Sequence, residues 1–261
     1  MRLDVRADWP TAIDDDARDM VVAAGVGRLE TVEQSQRHRH RKAQLLYGVR
    51  GAINCEMEEA VWIVPPGSAI WIPGDTPHTV FGSGDVECVC LFIHATPAAR
   101  LPPHGCAILI SDLLRHLLMR ASEMPAQYDP DGPEGRIASV ILDELATAPI
   151  ENFRLPIPSD PRLKALAEAM IANPAASSTV AQWAAGVGMS ERTLNRRLSS
   201  EIGMGFGRWR RQLHILLALR WLASGRSVQS VGLDLGYEST SSFVSMFRKA
   251  VGQPPGRYLA R

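Results

Sequence analysis

The C-terminal part of the chain repeats itself. Val180, Ala184, Val187 and Gly188 recur 48 residues later as Val228, Gly232, Leu235 and Gly236. Leu194, Leu198 and Gly203 recur 49 residues later as Phe243, Phe247 and Gly252. The change of spacing falls in a turn, where one added residue is cheapest. Each copy reads as a helix, a glycine-containing turn, and a second helix opened by a capping serine, Ser190 or Ser239. That is a helix-turn-helix unit, present twice. Ordinary helical hairpins in a bundle are the plainer reading, and duplication at fixed spacing argues against them. Between the copies, Gly205 to Ser224 reads as one helix with apolar positions at Trp209, Leu213, Leu216, Leu217 and Leu222. About 20 residues at 1.5 Å each give roughly 30 Å. Adjacent major-groove segments on one face of DNA lie about 34 Å apart, so such a connector can place two helices in successive grooves.

Charge divides along the same line. The chain of 261 residues is formally neutral. Residues 159–261 carry 14 Lys+Arg against 6 Asp+Glu, a net +8, and residues 1–158 carry the matching −8. A basic third joined to an acidic remainder points to a polyanionic partner for the basic part. The boundary is marked by Pro149, Pro156, Pro158 and Pro161, which disfavour helix. The expected domains are 1–150, a linker at 151–161, and 162–261.

In the first unit Leu194, Leu198 and Ile202 face inward at i, i+4, i+8. Arg192, Asn195 and Arg196 then point outward, with Thr193 beside them. Arg pairs bidentately with guanine and Asn with adenine, so these residues are candidates for base contacts. Arg197, Arg208, Arg210 and Arg211 suit phosphates or solvent. In the second unit Phe243, Phe247 and Ala250 are expected in the core. Thr240, Ser241, Val244 and Ser245 are expected to face DNA, and Arg248 and Lys249 suit phosphates.

The stretch from Ser227 to Tyr258, with Gly236-Tyr237, Gly252 and Pro255, resembles the signature of AraC/XylS transcription regulators. The resemblance extends from about Asp160 to the C-terminus and takes in Trp183, the Ser190–Leu198 helix and the connector ending at Leu222 and Gly225. It departs from the usual residues at His214, Gly232, Ser245 and Leu259. It implies sequence-specific binding to double-stranded DNA, and contact with RNA polymerase if the protein is an activator.

The N-terminal half reads as β-structure. Gln44–Val49, Ile53–Met57, Val61–Val64, Ala69–Ile72 and Val86–Ile93 are short runs rich in β-branched or aromatic residues. Gly51, Pro65-Pro66-Gly67, Pro73-Gly74-Asp75 and Gly82–Asp85 are turn signals between them, a pattern of sandwiches and barrels. Cys55, Cys88, Cys90 and Cys106 contain no CxxC pair and read as core. Two helices follow, one capped by Ser111 and carrying Leu113, Leu114, Leu117 and Leu118. The other, Glu134–Ala148, shows a stripe of Ile137, Val140, Ile141 and Leu145. That stripe predicts a homodimer through the N-terminal domain.

His38-Arg-His40, Gln44 and Gly51, then Gly67 and Pro73-Gly-Asp-Thr-Pro-His78, resemble the two motifs of the cupin barrel. The resemblance implies a site from His38, His40 and His78, with Gln44 where metal-binding cupins have Glu. The same groups can instead line an organic effector pocket of Gln44, Tyr47, Trp71 and His78. No cofactor is required on that reading. A divalent metal at His38, His40, Gln44 and His78 is the alternative, weakened by the neutral amide. Arg37, Arg39, Arg41 and Lys42 add a basic cluster that suits either solvent or an anionic effector.

The expected fold is therefore α+β: an N-terminal cupin-like β-barrel with accessory helices and a C-terminal all-α domain with two helix-turn-helix units. The leading function is a DNA-binding transcription regulator responsive to a small molecule, and not an enzyme. The alternative is a cupin-type metalloenzyme with an appended helical domain. No apolar run reaches the ~18 residues of a membrane span. The polar start MRLDVRADWPTAIDDDARD lacks the apolar core of a signal peptide, so a cytoplasmic location is expected.

Overall fold

Gly51 and Gly84 bend two long strands where the sequence predicts turns. Strand β2 runs unbroken over Ala43–Met57 and β5 over His78–Ile93. Gly51 holds φ at +71° and Gly84 at +81°, a region glycine enters without steric cost. A Cβ on Gly51 would lie 2.6 Å from Val86 Cγ2. Register shifts between Gly48 and Arg50, and between Arg50 and Ala52, mark bulges that bend the pair without ending it.

The computed structural model describes residues 22–29, 36–58, 60–125, 127–151 and 153–258. They divide into two units, the first with the residues up to Met57 and from Trp62 to Phe153, the second with Glu58–Val61 and the residues from Arg154 on. The first unit is an antiparallel sheet ordered β1–β5–β2–β4–β6–β7. Its other strands are β1 (Val22–Leu29), β3 (Ala60–Val64), β4 (Ser68–Ile72), β6 (Cys106–Leu109) and β7 (Ile150–Glu151), with β3 paired to β2. This is a cupin half-barrel.

Strand alternation gives the sheet two different faces. Ala43, Leu45, Tyr47, Trp71, Val89 and Leu91 share one core with the helices. Gln44 and Leu46, paired across to Phe92 and Cys90, alternate onto the other face. The helices are α1 (Ala95–Ala98), α2 (Asp112–Ala121) and α3 (Pro133–Thr147). Ser111 caps α2 by accepting the Leu114 N–H, as its position predicts.

The predicted dimer stripe is corrected by this core. Ile141 and Leu145 are fully buried in their own domain, together with Ala138 and Leu142, and Ile137 packs against them. Only Val140 of the stripe is exposed. The apolar face of α3 is consumed by the sheet it follows, so it offers no continuous surface to a partner.

The second unit is helical: α4 (Pro161–Ala172), α5 (Val180–Gly186), α6 (Glu191–Ile202), α7 (Phe206–Ala223), α8 (Val228–Asp234), α9 (Thr240–Val251) and α10 (Pro255–Tyr258). The repeat is visible in its hydrogen bonds. Thr179, Ser190, Ser227 and Ser239 each accept the backbone N–H three residues on, starting α5, α6, α8 and α9. Gly188 and Gly236 turn each unit at positive φ. Gly203 and Gly252 end α6 and α9 in the left-handed conformation. Leu194 and Leu198 are buried, and so are their counterparts Phe243 and Phe247. Ile202 is only half-buried and Ala250 is exposed, contrary to expectation, because both lie in the last turn of their helices. The connector α7 has 18 residues, roughly 27 Å. It is buried on most of its circumference, including Trp209, Leu213, Leu216 and Leu222. Within the proline-rich stretch Leu155 is buried and Pro161 opens α4 after the Asp160 cap. Leu259 lies outside the described residues.

Candidate functional site

The two cupin-like motifs meet because a glycine turn lies against the backbone of the first. Asp75 N–H donates to the His40 carbonyl at 2.8 Å. A Cβ on Gly74 would stand 2.2 Å from the Arg41 carbonyl oxygen, so no other residue fits. His38 and His78 then exchange both backbone hydrogen bonds, at 3.0 and 2.9 Å.

This places three imidazoles together. Ring centroids lie 4.4 Å apart for His38 and His78, 5.1 Å for His40 and His78, and 6.0 Å for His38 and His40. One nitrogen from each lies within 4.8 Å of the others. Each Nδ1 faces a backbone carbonyl: Gln36 for His38 at 2.8 Å, Lys42 for His40 at 2.6 Å, Thr76 for His78 at 2.8 Å. A neutral ring that donates Nδ1–H to a carbonyl keeps its lone pair on Nε2. The Nε2 of His78 is buried and has no partner among the described residues. Burial pushes this imidazole down to about 4; the Thr76 carbonyl opposes that shift, while His38, His40 and Arg37 add to it.

Gln44 completes the group. Its Oε1 lies 3.3 Å from His40 Nε2 and its Nε2 lies 3.2 Å from Cys90 Sγ. In this orientation two lone pairs face each other, which a cation between them would reconcile. The flipped amide would instead donate to His40 and accept from the Cys90 thiol. The donor set of three imidazoles and an amide oxygen fits a first-row divalent ion, with no anionic ligand to balance it. Arg37, Arg39 and Arg41 are exposed around this group, whereas Lys42 is buried.

Tyr47 and Trp71 do not join it. They lie in the helix-packing core on the opposite face from Gln44, and Trp71 Nε1 donates to the Pro102 carbonyl. The alternation of β2 is the signal that separates Tyr47 from Gln44, three residues apart and so of opposite parity.

In the helical unit, Arg192 and Arg196 are exposed on α6. Thr193 is half-buried, its hydroxyl 2.9 Å from Ser190 Oγ. Asn195 is engaged within the fold: its Nδ2 donates to the Glu191 carbonyl and its Oδ1 accepts the Phe206 N–H. Arg197 pairs with Asp160 at 2.6 Å. On α9, Thr240, Ser241, Ser245 and Arg248 are exposed and Val244 is half-buried. Arg210 donates to the Ala176 carbonyl, and Arg208 and Arg211 are exposed.

Sequence reasoning missed the structural use of Asn195. The signal was present: Gly205 opens α7 and has no side chain to cap it, so another residue must supply the acceptor. It also missed Glu201, whose Oε1 accepts from Ser159 and Asp160 ahead of α4.

Residues 183–261 match a helix-turn-helix domain family, and residues 25–94 match a cupin domain family. Over 224 residues the chain is 39% identical to the HTH-type transcriptional regulator NimR of Escherichia coli (strain K12), covering 86% of this chain and 82% of that one. It is 30% identical over 122 residues to the HTH-type transcriptional regulator RipA of Corynebacterium glutamicum, covering 47% of this chain and 35% of that one. Among solved structures it is similar to the DNA-binding domain of AdpA in complex with a target DNA, with 30% identity and a TM-score of 0.37, covering 39% of this chain and 92% of that one. No helix among the described residues is long and apolar enough to cross a membrane.

Proposed function

The chain belongs to the AraC family of helix-turn-helix transcription regulators, and from that premise we propose that residues 162–261 bind a specific double-stranded DNA site while residues 1–150 sense a small molecule. Membership in a family of regulators sets aside the metalloenzyme alternative. The observation that carries the reading is the matched pair of capped helix-turn-helix units on a connector of roughly 27 Å. Arg192 and Arg196 are the base-reading residues of α6. Thr240, Ser241 and Ser245 face DNA from α9, and Arg248 holds phosphate. Asn195 and Arg197 support the first helix rather than read bases.

The sensor reads its effector through Gln44, His78 and the two other imidazoles. Orphaned Nε2 of His78 favours a second version, in which a divalent ion is held by His38, His40, His78 and Gln44. Such an ion would act as a Lewis acid that orders an anionic effector, for which Arg37, Arg39 and Arg41 provide the field. The regulator acts in the cytoplasm and contacts RNA polymerase if it activates.

Gel-shift titration of the full chain on fragments from its own promoter region tests the reading. Binding should select particular fragments and weaken steeply as salt rises, through counterion release. No retardation of any fragment at low salt contradicts it.

A further inference from the structure

The segment that the prolines mark as a linker is bonded to two helices of the second unit. Strand β8 (Arg154–Pro156) is tied to α7: Trp209 Nε1 donates to the Pro156 carbonyl at 2.7 Å and Gln212 Nε2 to the Arg154 carbonyl at 3.2 Å. Leu155 between them is buried, and so is Trp209. A little further on, the chain meets α6. Glu201 Oε1 accepts three bonds there: from the Ser159 N–H, from the Ser159 hydroxyl at 2.6 Å and from the Asp160 N–H at 2.9 Å. The Ser159 hydroxyl first, then the Asp160 and Ser159 N–H groups, hold the Glu201 carboxyl below its usual range, against desolvation. Asp160 is held by its side chain as well. Its carboxylate caps α4 through the Arg162 and Leu163 N–H groups and pairs with Arg197 of α6 at 2.6 Å.

Arg197 and Glu201 are four residues apart on α6, so they share one face. That face grips the chain ahead of α4 by both polarities: the guanidinium takes the Asp160 carboxylate, and the Glu201 carboxylate takes the N–H groups. Arg192 lies nine residues before Glu201, about two and a half helical turns, and so on the opposite side of α6. A duplex read by Arg192 is out of reach of Glu201. Only Leu194 and Leu198 of α6 are buried. So narrow an apolar stripe fixes the rotation of a helix about its own axis weakly, and polar ties on its flanks supply the rest.

We infer that Glu201 is a positioning residue for DNA recognition: it fastens the segment Arg154–Asp160 to α6 as a strap, and the strap, anchored on α7, sets the rotation of α6 toward the duplex. The segment is then part of the reading unit and not a free linker. Its effect on DNA rests on the DNA-binding reading above; the strap itself does not. An exposed acid in a DNA-binding unit ordinarily repels phosphate, so removing its charge should tighten binding. The strap predicts a different order. Glu201→Gln keeps the accepting oxygen and loses the charge. Glu201→Asp keeps the charge and falls short by about 1.5 Å, one carbon–carbon bond.

Gel-shift titration of the full chain, on the promoter fragment that the parent selects, reads the effect on DNA. Glu201→Ala and Glu201→Asp should raise the Kd about fivefold, the net worth of one hydrogen bond, with Glu201→Gln near the parent. Ser159→Ala, which leaves α6 untouched, should raise it about twofold and add nothing in the Glu201→Ala background. Amide hydrogen exchange without DNA reads the strap, because Ser159 and Asp160 carry the only N–H groups between Pro158 and Pro161. Both should exchange slowly in the parent and in Glu201→Gln, and about tenfold faster in Glu201→Ala and Glu201→Asp. Tighter or unchanged DNA binding by Glu201→Ala, or an order in which Asp matches the parent and Gln does not, gives Glu201 a charge role and overturns the inference. Free exchange of both amides in the parent overturns it too. The expected exchange pattern in protein that retards no DNA upholds the strap and contradicts the regulator reading instead.

Discussion

Asn195 Oδ1 accepts the Phe206 backbone N–H at 3.0 Å, so a side chain of α6 caps the first turn of α7. A residue that the helix pattern places on the outer face of α6 is spent on joining that helix to α7. Asn195→Ala should lower stability by about 1 kcal/mol, the usual cost of a lost cap. It should raise the Kd for all DNA sequences alike. Urea unfolding and a base-preference profile check this; a change confined to one base pair would assign Asn195 to readout after all.

Arg192 and Arg196, both exposed on α6, are the proposed direct contacts. Replacing either by Ala should cost about 1–3 kcal/mol at one base pair and relax the preference there. Arg248→Ala and Arg197→Ala should weaken binding without changing preference, the first through a phosphate and the second through the Asp160 pair. Binding selection from randomised DNA with each variant measures the difference. Unchanged profiles for both Arg192→Ala and Arg196→Ala would falsify the placement of α6 in the major groove.

Most of the helical unit was legible because its rules are local. A serine three residues ahead of a free N–H, a glycine at positive φ and an apolar i, i+4 pair are all readable at Ser190, Gly203 and Leu194/Leu198. The long strands were not, because Gly51 and Gly84 carry the same signal in a turn and in a bulge; only the pairing of β2 with β5 decides. The three histidines were legible as a set through their motif spacing. Tyr47 and Trp71 were misplaced because parity was not followed from Gln44. Ile141 and Leu145 look identical in sequence whether they meet a partner subunit or their own sheet.

Gln44 sets the charge of the imidazole cluster. Gln44→Glu adds the anionic ligand that the set lacks and should tighten binding of a divalent ion, read by calorimetry with zinc or nickel. His78→Ala should abolish it in both backgrounds. Equal affinity for parent and Gln44→Glu would show that Gln44 is no ligand.

His214 gives stability a pH dependence. Folded, the ring titrates near 4 against 6.5 when free, with burial the main cause and Arg210 adding to it. Above about pH 6.5 the ring is neutral in both states and contributes no slope. Between 6.5 and 4 the unfolded chain binds a proton that the folded chain refuses, so stability falls with pH, by up to about 3 kcal/mol. The urea midpoint should drop between about pH 7 and 5, and His214→Gln should remove part of that drop. A parent and variant with the same slope would contradict the assignment.

The proposed reading, with α6 and α9 both in the major groove on one connector, requires two marks on DNA. A hydroxyl-radical footprint of the full chain on its selected promoter fragment tests this directly. The predicted result is two protected segments on one face of the duplex, centred about 10–10.5 base pairs apart. Both should disappear together at high salt. A single protected segment, or uniform weak protection along every fragment, contradicts the account.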